Sequence, residues 1–461
     1  MGGQDMITVN FNSKDHLYIQ VVRAIINQIA SGDLKSGDKL PSRRTLAKQL
    51  DVSLNTVVSA YNQLLDEGYI ISKERSGYFI DLLSPDMIPS YQDIEAQLPI
   101  PPEIPDEHFD YRYDFHYSSR DLSNLNINQF LHSAPKVLEQ SIQQKNEKQG
   151  VYSVRESIAK YLTQYRGVAT HPENIIITGG HWESVAIIDS LLEEPLYGVE
   201  DPGYYYKQEN SRFLKIPIDK YGFSVADLEK SPAKIAITTP NHQFPTGIIM
   251  GLRRRQRLLK WVYEESDRYI IENDYYNEFR LNRNTVPSLM SLDQNERVIL
   301  MGSFRQSLGS VFRLSYLVLP NHLIERVYQM NIKIPSISLF EQYLISHFLN
   351  SDYFSTYINS LRTNYRRKEK KVIEMLKKSQ IPIQIHEAGS GLYFVITFED
   401  DIPEESIIKE RLEKANIRLE SVNQYSTLTQ SNSSNSYILG YGGLALAEIE
   451  AAIQSLLKIF Y

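Results

Sequence analysis

At 461 residues the chain is too long for one compact core, so two or three domains are expected, and 42% hydrophobic with 23% charged residues excludes a disordered protein. The absence of cysteine excludes disulfide frameworks, thiolate metal sites and thiol nucleophiles. A net charge of −7 speaks against nucleic-acid binding only until it is divided along the chain: residues 81–115 hold nine acids against the single base Arg112, which leaves the remainder near neutral. No apolar run approaches the ~20 residues that span a bilayer, and MGGQDMITVNF lacks a basic-then-apolar signal pattern. A cytoplasmic protein with no membrane partner is expected.

Tyr18, Val21, Val22, Ile25, Ile26 and Ile29 recur at helical spacing, which predicts a helix over residues 15–31, ended by Gly32. Pro41 and Ser42 open a second helix, residues 43–50. After a tight turn Ser53 stands as N-cap of a third, residues 54–67, stopped by Gly68. The third helix turns Val57, Ala60, Tyr61 and Leu64 inward and presents Asn55, Thr56, Ser59 and Asn62 outward. Residues 69–72 and 77–81 then read as a hairpin with a basic tip, Lys73 to Ser76. This order makes a winged helix-turn-helix, whose third helix would enter the major groove while the tip reaches an adjacent groove or phosphates. The alternative is a three-helix interaction domain with no DNA role.

The runs GDKLPSRRTLAKQLDVSLNTVVSAYNQLLDEGYI and RSGYFI resemble the GntR-type DNA-binding domain over residues 18–80. The resemblance implies double-stranded DNA as partner, with Ser42, Arg43, Arg44, Ser53, Asn55, Thr56, Lys73, Arg75 and Gly77 at the interface. One departure matters. The family usually has Arg directly after the position of Ser53, and here it is Leu54. A bidentate Arg–guanine contact, worth ~1–3 kcal/mol of discrimination, is missing there.

Six prolines among the nine acids make residues 81–115 an extended interdomain linker between a DNA-binding domain (1–80) and a large domain (116–461). In the large domain apolar strand-like runs alternate with helical ones. Strands are predicted over residues 174–178, 196–199, 213–217, 234–238, 269–272, 297–302 and 313–318, and helices over 154–166, 181–192 and 252–267. Such alternation predicts an α/β domain with a largely parallel sheet, its ligand crevice at the carboxyl ends of the strands. A mostly helical stretch (322–378) leads to a smaller α+β subdomain, with strands at 392–397 and 437–440 and helices at 404–415 and 446–459.

Six motifs in series, YLTQYRGVATHPENIIITGG, EDPGYYY, TTPNHQFPTGIIM, IIENDYYNEFRL, GSFRQSLGSVFRLSY and EAGSGLYF, resemble the MocR subfamily of GntR-type regulators, whose large domain is a fold-type I, pyridoxal-phosphate (PLP) aminotransferase. The resemblance implies that Gln306 stands at the family's imine-forming lysine. A carboxamide is not nucleophilic, so no catalytic residue is assigned and no covalent cofactor is expected. Counting back thirty-three residues reaches Asn273, where the family keeps an acid to hold the pyridine nitrogen protonated. The carboxylate-gripping arginine of the last strand is also missing, since the last arginine of the chain is Arg418.

The phosphate end reads as intact. Gly179 and Gly180 end a strand and start a helix, Ser303 offers a hydroxyl, and Arg313 opens an apolar strand as a planar cation. A salt bridge from Arg313 to a carboxylate such as Glu278 is the alternative. His181, Trp182, Tyr204, Tyr205, Tyr206, His242 and Tyr275 lie on loops that would line the crevice and stack on a planar ligand. The expectation is a regulator whose inactive aminotransferase-like domain binds a small-molecule effector, PLP held non-covalently or another planar anion. The resemblance also implies a homodimer in which one subunit's DNA-binding domain packs on the other's large domain. A working PLP aminotransferase fused to a DNA-binding domain is the second hypothesis. No metal site is expected.

Overall fold

The computed structural model describes residues 7–11, 14–81, 110–123, 125–205, 210–276, 278, 279, 281, 286–309, 311–330, 336–379, 381–386, 391–399, 402–427 and 435–460. The chain divides into two compact units, residues 1–108 and 109–461. Most of the expected linker, and Tyr206 of the expected ring wall, lie outside the described residues.

The first unit has helices α1 (Leu17–Ala30), α2 (Arg43–Gln49) and α3 (Leu54–Asp66), then hairpin strands β1 (Ile70–Lys73) and β2 (Gly77–Ile80). The apolar stripe of α1 meets that of α3: Val21, Ile25, Val57, Tyr61 and Leu64 are fully buried. Each such side chain contributes roughly 1.5–3 kcal/mol of hydrophobic stabilisation. The Tyr61 hydroxyl donates to the Pro41 carbonyl at 2.9 Å, which satisfies the polar end of this buried ring. The anticipated Ser53 cap forms, and Ser42 caps α2 in the same way. Ser42 accepts from the Thr45 N–H and Ser53 from the Thr56 N–H, each at 3.1 Å.

The second unit opens with a short strand, β3 (Tyr113–Asp114), and is built on an eight-stranded sheet. Its strands are β4 (Ile175–Thr178), β5 (Tyr197–Asp201), β6 (Phe213–Asp219), β7 (Gly222–Phe223), β8 (Ile235–Thr238), β9 (Tyr269–Asp274), β10 (Val298–Ser303) and β11 (Ser315–Val318). The order is β4-β11-β10-β9-β8-β5-β6-β7. Pairs from β10 through β6 are parallel, and β11 runs antiparallel between β10 and β4. The register sets Ser303 opposite Ser315, Ser315 opposite Thr178 and Gly302 opposite Asp274. The loops after β4, β5, β8, β9 and β10 therefore emerge on one edge. Gly302 is required there, because a Cβ would stand 2.3 Å from the Tyr316 hydroxyl.

The smaller subdomain adds β12 (Ile383–His386), β13 (Tyr393–Phe398), β14 (Ile417–Arg418), β15 (Glu420–Ser421) and β16 (Ser436–Gly440). Four of them form an antiparallel sheet, β12-β13-β16-β15, and β14 pairs with β3. Helix Ile449–Phe460 closes it. β3, β7, β12, β14 and β15 were not legible as strands.

One boundary is corrected. Residues 110–115, expected in the linker, belong to the second unit: Tyr113 pairs with Ile417, Asp114 with Arg418, and Phe115 is fully buried. The arm runs on as Arg112 N–H to Asn416 O, Gly440 N–H to Phe115 O and Asp121 N–H to Gly442 O, at 2.9 to 3.0 Å. Its anchor is an ion pair. The Lys368 ammonium, 0% exposed, donates to Asp121 Oδ2 at 2.9 Å and to the Gly442 carbonyl at 3.1 Å. Hydrogen bonds from Ser123 and Lys368 hold the Asp121 carboxyl down at about 2 despite its partial burial.

Asp121→Asn leaves a buried ammonium without a counter-charge and is expected to cost about 3–5 kcal/mol in chemical denaturation. Asp121→Asn with Lys368→Met should recover most of that loss. A neutral single variant would show that the pair does not anchor the arm.

Candidate functional site

The residues expected at the DNA interface gather on the exposed side of the first unit. Ser42, Arg44, Ser53 and Asn55 are exposed, and Thr56 is half-buried beneath the Ser53 cap. Leu54, which follows that cap, is 42% exposed, an apolar group on a surface otherwise made of donors and acceptors. Arg43 is different: its guanidinium lies over the Tyr78 ring at 4.8 Å and donates to Asn62 Oδ1 at 3.3 Å. It braces the hairpin against α3, and Arg44 is the outward cation. At the tip Arg75 takes a left-handed backbone (φ 56°) that exposes its side chain, and Gly77 follows at φ 111°. Lys73 is also exposed, its ammonium 4.8 Å from the centre of the Phe79 ring.

In the second unit the phosphate end differs from expectation. The Gly179 N–H is not free: it donates to the carboxylate of Glu183, one turn into helix His181–Leu191, and Glu183 Oε2 also accepts from Ser336 Oγ at 2.8 Å. A carboxylate therefore sits where the helix N-terminus would attract an anion. Gly180 is the N-cap, with φ 138°. Ser303 Oγ accepts from the Arg305 N–H at 3.1 Å. Arg313 precedes β11 instead of opening it, and its side chain is exposed. Its N–H donates to Glu341 Oε1 at 2.6 Å. The alternative ion pair with Glu278 does not form either. Glu278 is buried on the Tyr161 hydroxyl at 2.9 Å, and burial lifts its carboxyl to about 7.

Gln306, expected at the reactive end, is buried in the short helix Arg305–Leu308 after β10. Its Oε1 accepts twice from one guanidinium, from Arg120 Nε at 3.1 Å and from Arg120 Nη2 at 2.6 Å. Arg120 Nη1 donates to the Arg305 carbonyl at 3.0 Å. Arg120 stands on the arm directly before Asp121, so the Lys368 pair holds its backbone in place. Asn273 is half-buried on β9, with no hydrogen-bond partner for its side chain among the described residues. Its neighbour Asp274 points to the opposite face and pairs with the buried Arg166, as strand alternation requires. No cation replaces the missing arginine on β16, where every residue is buried.

Two ring clusters cover the crevice. His181 lies 4.9 Å from Tyr204 and 5.2 Å from Trp182, and the Tyr205 hydroxyl meets His181 Nε2 at 2.7 Å. Trp182 and Tyr204 remain 47% and 42% exposed. His242 packs edge-on to Tyr393 at 4.7 Å, and its carbonyl accepts from the Tyr275 hydroxyl at 2.9 Å. Burial pulls His181 down to about 4 and His242 to about 3, so both rings are neutral at pH 7. Phe244 links the clusters, 6.4 Å from Tyr204 and 6.3 Å from Tyr393. Beneath it Glu200 accepts from Thr238, Thr239 and Gln243 and fixes the loop that carries His242.

Sequence reasoning missed Arg120, Glu183 and Glu341. Glu183 was legible in principle, as an acid in the first turn of a helix expected to bind an anion. Among the described residues no group of His, Asp and Glu could hold a metal ion, and no helix is long and apolar enough to cross a membrane.

Comparison with known proteins places both units. Residues 17–80 match the model of the bacterial regulatory proteins of the gntR family, and residues 120–431 match aminotransferase class I and II. The chain is 33% identical to the uncharacterized HTH-type transcriptional regulator YdeL of Bacillus subtilis, over 95% of this chain and 96% of that protein. It is 26% identical to the probable rhizopine catabolism regulatory protein MocR of Rhizobium meliloti, over 99% and 96%. An archaeal alanine:glyoxylate aminotransferase superposes with a TM-score of 0.66 at 22% identity, covering 76% of this chain and 90% of that one, which shows the shared fold. The chain belongs to the GntR family of bacterial transcription regulators, in the MocR-like group that joins a winged helix-turn-helix to an aminotransferase class I and II domain.

Proposed function

We propose that this regulator binds its operator through Arg44, the outer face of α3 and the wing, and that its large domain recognises a small anionic effector without transforming it. The observation that carries the second part is the state of Gln306. It stands where the aminotransferase fold keeps its imine-forming lysine, and its amide is engaged by Arg120. An amide cannot condense with an aldehyde, and a guanidinium at that place opposes any ammonium.

The crevice does not fit PLP. A phosphate approaching Gly179 would meet the Glu183 carboxylate, and Asn273 has no charge with which to hold a pyridinium; the Ser303 hydroxyl, which accepts from the Arg305 N–H, keeps its own O–H to donate. The first two changes weigh against transamination. What remains is a ring-lined cleft and the cations Arg120, Arg305 and Arg313. A cytoplasmic homodimer would present two reading helices and two wings to paired half-sites, and effector binding would favour one arrangement of domains over another.

Two expectations follow. Purified protein mixed with PLP and an amino donor should show neither a visible imine band nor amino-group turnover; either signal would refute the non-catalytic reading. In operator binding, Arg44→Ala should weaken affinity and lower the salt slope by about one. Arg43→Ala should act through the packing on Tyr78, with loss of thermal stability and an unchanged salt slope. A stable Arg44→Ala protein with native affinity and salt dependence would reject this placement of the interface.

A further inference from the structure

Arg120 carries a full charge into the large domain and, among the described residues, finds no carboxylate. Its acceptors are one amide oxygen, Gln306 Oε1, and one backbone carbonyl, that of Arg305. Tyr276, Tyr357 and Tyr365 surround it, but their hydroxyls are spent on the carbonyls of Tyr117, Ser307 and Asp121. The nearest acid in sequence, Asp121, is committed to Lys368. Among the described residues no Asp or Glu pairs with Arg120, and the guanidinium of Arg305 adds a second cation beside it. A partly desolvated guanidinium with neutral partners only is an incomplete ion pair.

The geometry of its contact with Gln306 indicates what would complete it. The Nε and Nη2 edge is the edge that receives a carboxylate through two parallel hydrogen bonds, and here both N–H groups converge on a single neutral oxygen. Charge-assisted bidentate bonds are roughly twice as strong as neutral ones. We propose that Arg120 is the receptor for the carboxylate of the effector, and that the Gln306 amide holds its place until the effector arrives. The subsite thus moves from the last strand, where the aminotransferase-like pattern lost its arginine, to the arm. A carboxylate that takes the Arg120 edge releases Gln306 and with it the turn Arg305–Leu308 between β10 and β11, which gives the domain two states for an effector to choose between. The ligand class is a monocarboxylate with a flat or apolar body, which Tyr276 and the rings packed on it would cover.

This inference rests on the effector-binding reading above, and the test separates the two. Full-length protein is titrated by calorimetry with a panel of aliphatic and aromatic monocarboxylates, phenylacetate among them, each beside its amide and with phenyl phosphate as a further arm. At least one acid should bind about tenfold or more tighter than its amide, the ratio expected from hydrogen bonds to a charged group. Arg120→Gln should reduce that acid to the level of its amide. Gln306→Ala, which leaves the guanidinium in place, should tighten the acid and leave the amide unchanged. No acid exceeding its amide, binding of phenyl phosphate alone, or an Arg120→Gln protein that binds as the parent does would overturn the assignment. A PLP imine in the same samples would refute the non-catalytic reading instead, whatever Arg120 does.

Discussion

A guanidinium partly withdrawn from water needs a partner, and among the described residues that of Arg120 donates to the amide of Gln306 and a peptide carbonyl. Much of the local architecture serves to hold it there. The arm is stitched to the small subdomain through β3 and β14, pinned by the Asp121–Lys368 pair, and tied by Tyr276 and Tyr365, whose hydroxyls donate to its carbonyls at Tyr117 and Asp121. On the far side the parallel register of β9 and β10 sets Asn273 beside Met301 and brings the turn bearing Gln306 to the same edge. The turn after β10 thus sets the Gln306 amide against a cation.

Other polar groups around the crevice are engaged as well. Glu183 takes a backbone donor that an anion would use, and Glu341 takes the N–H of Arg313. His181 and His242 are kept neutral by burial, so they add ring surface and no charge. The cleft keeps a ring wall and the cations Arg120, Arg305 and Arg313.

Fold class and element order were legible because they rest on local signals. The stripe of α1, the serine cap of α3, and the apolar runs of β4 to β6 and β8 to β11 carry their signal in the residues themselves. Most boundaries moved by a residue or two, the helix expected over 252–267 ends at Tyr263 and the one expected over 446–459 begins at Ile449, and the short strands β3, β7, β14 and β15 were invisible because two residues have no period. At the site, Gln306 and Asn273 could be located by counting within a motif. Arg120 could not, since its meaning comes from a partner 186 positions away and YSSRDLSN carries no pattern. Arg313 misled for the opposite reason: a lone arginine beside an apolar strand suggests a buried charge, and it proved to be exposed before the strand begins.

The central claim is that the large domain recognises a molecule and forms no bond to it. The most direct measurement is the mass of the denatured chain after the protein has been saturated with PLP and treated with borohydride. The account predicts the mass given by the sequence alone, with any bound small molecule lost on denaturation. A phosphopyridoxyl adduct on a lysine of the crevice would contradict it.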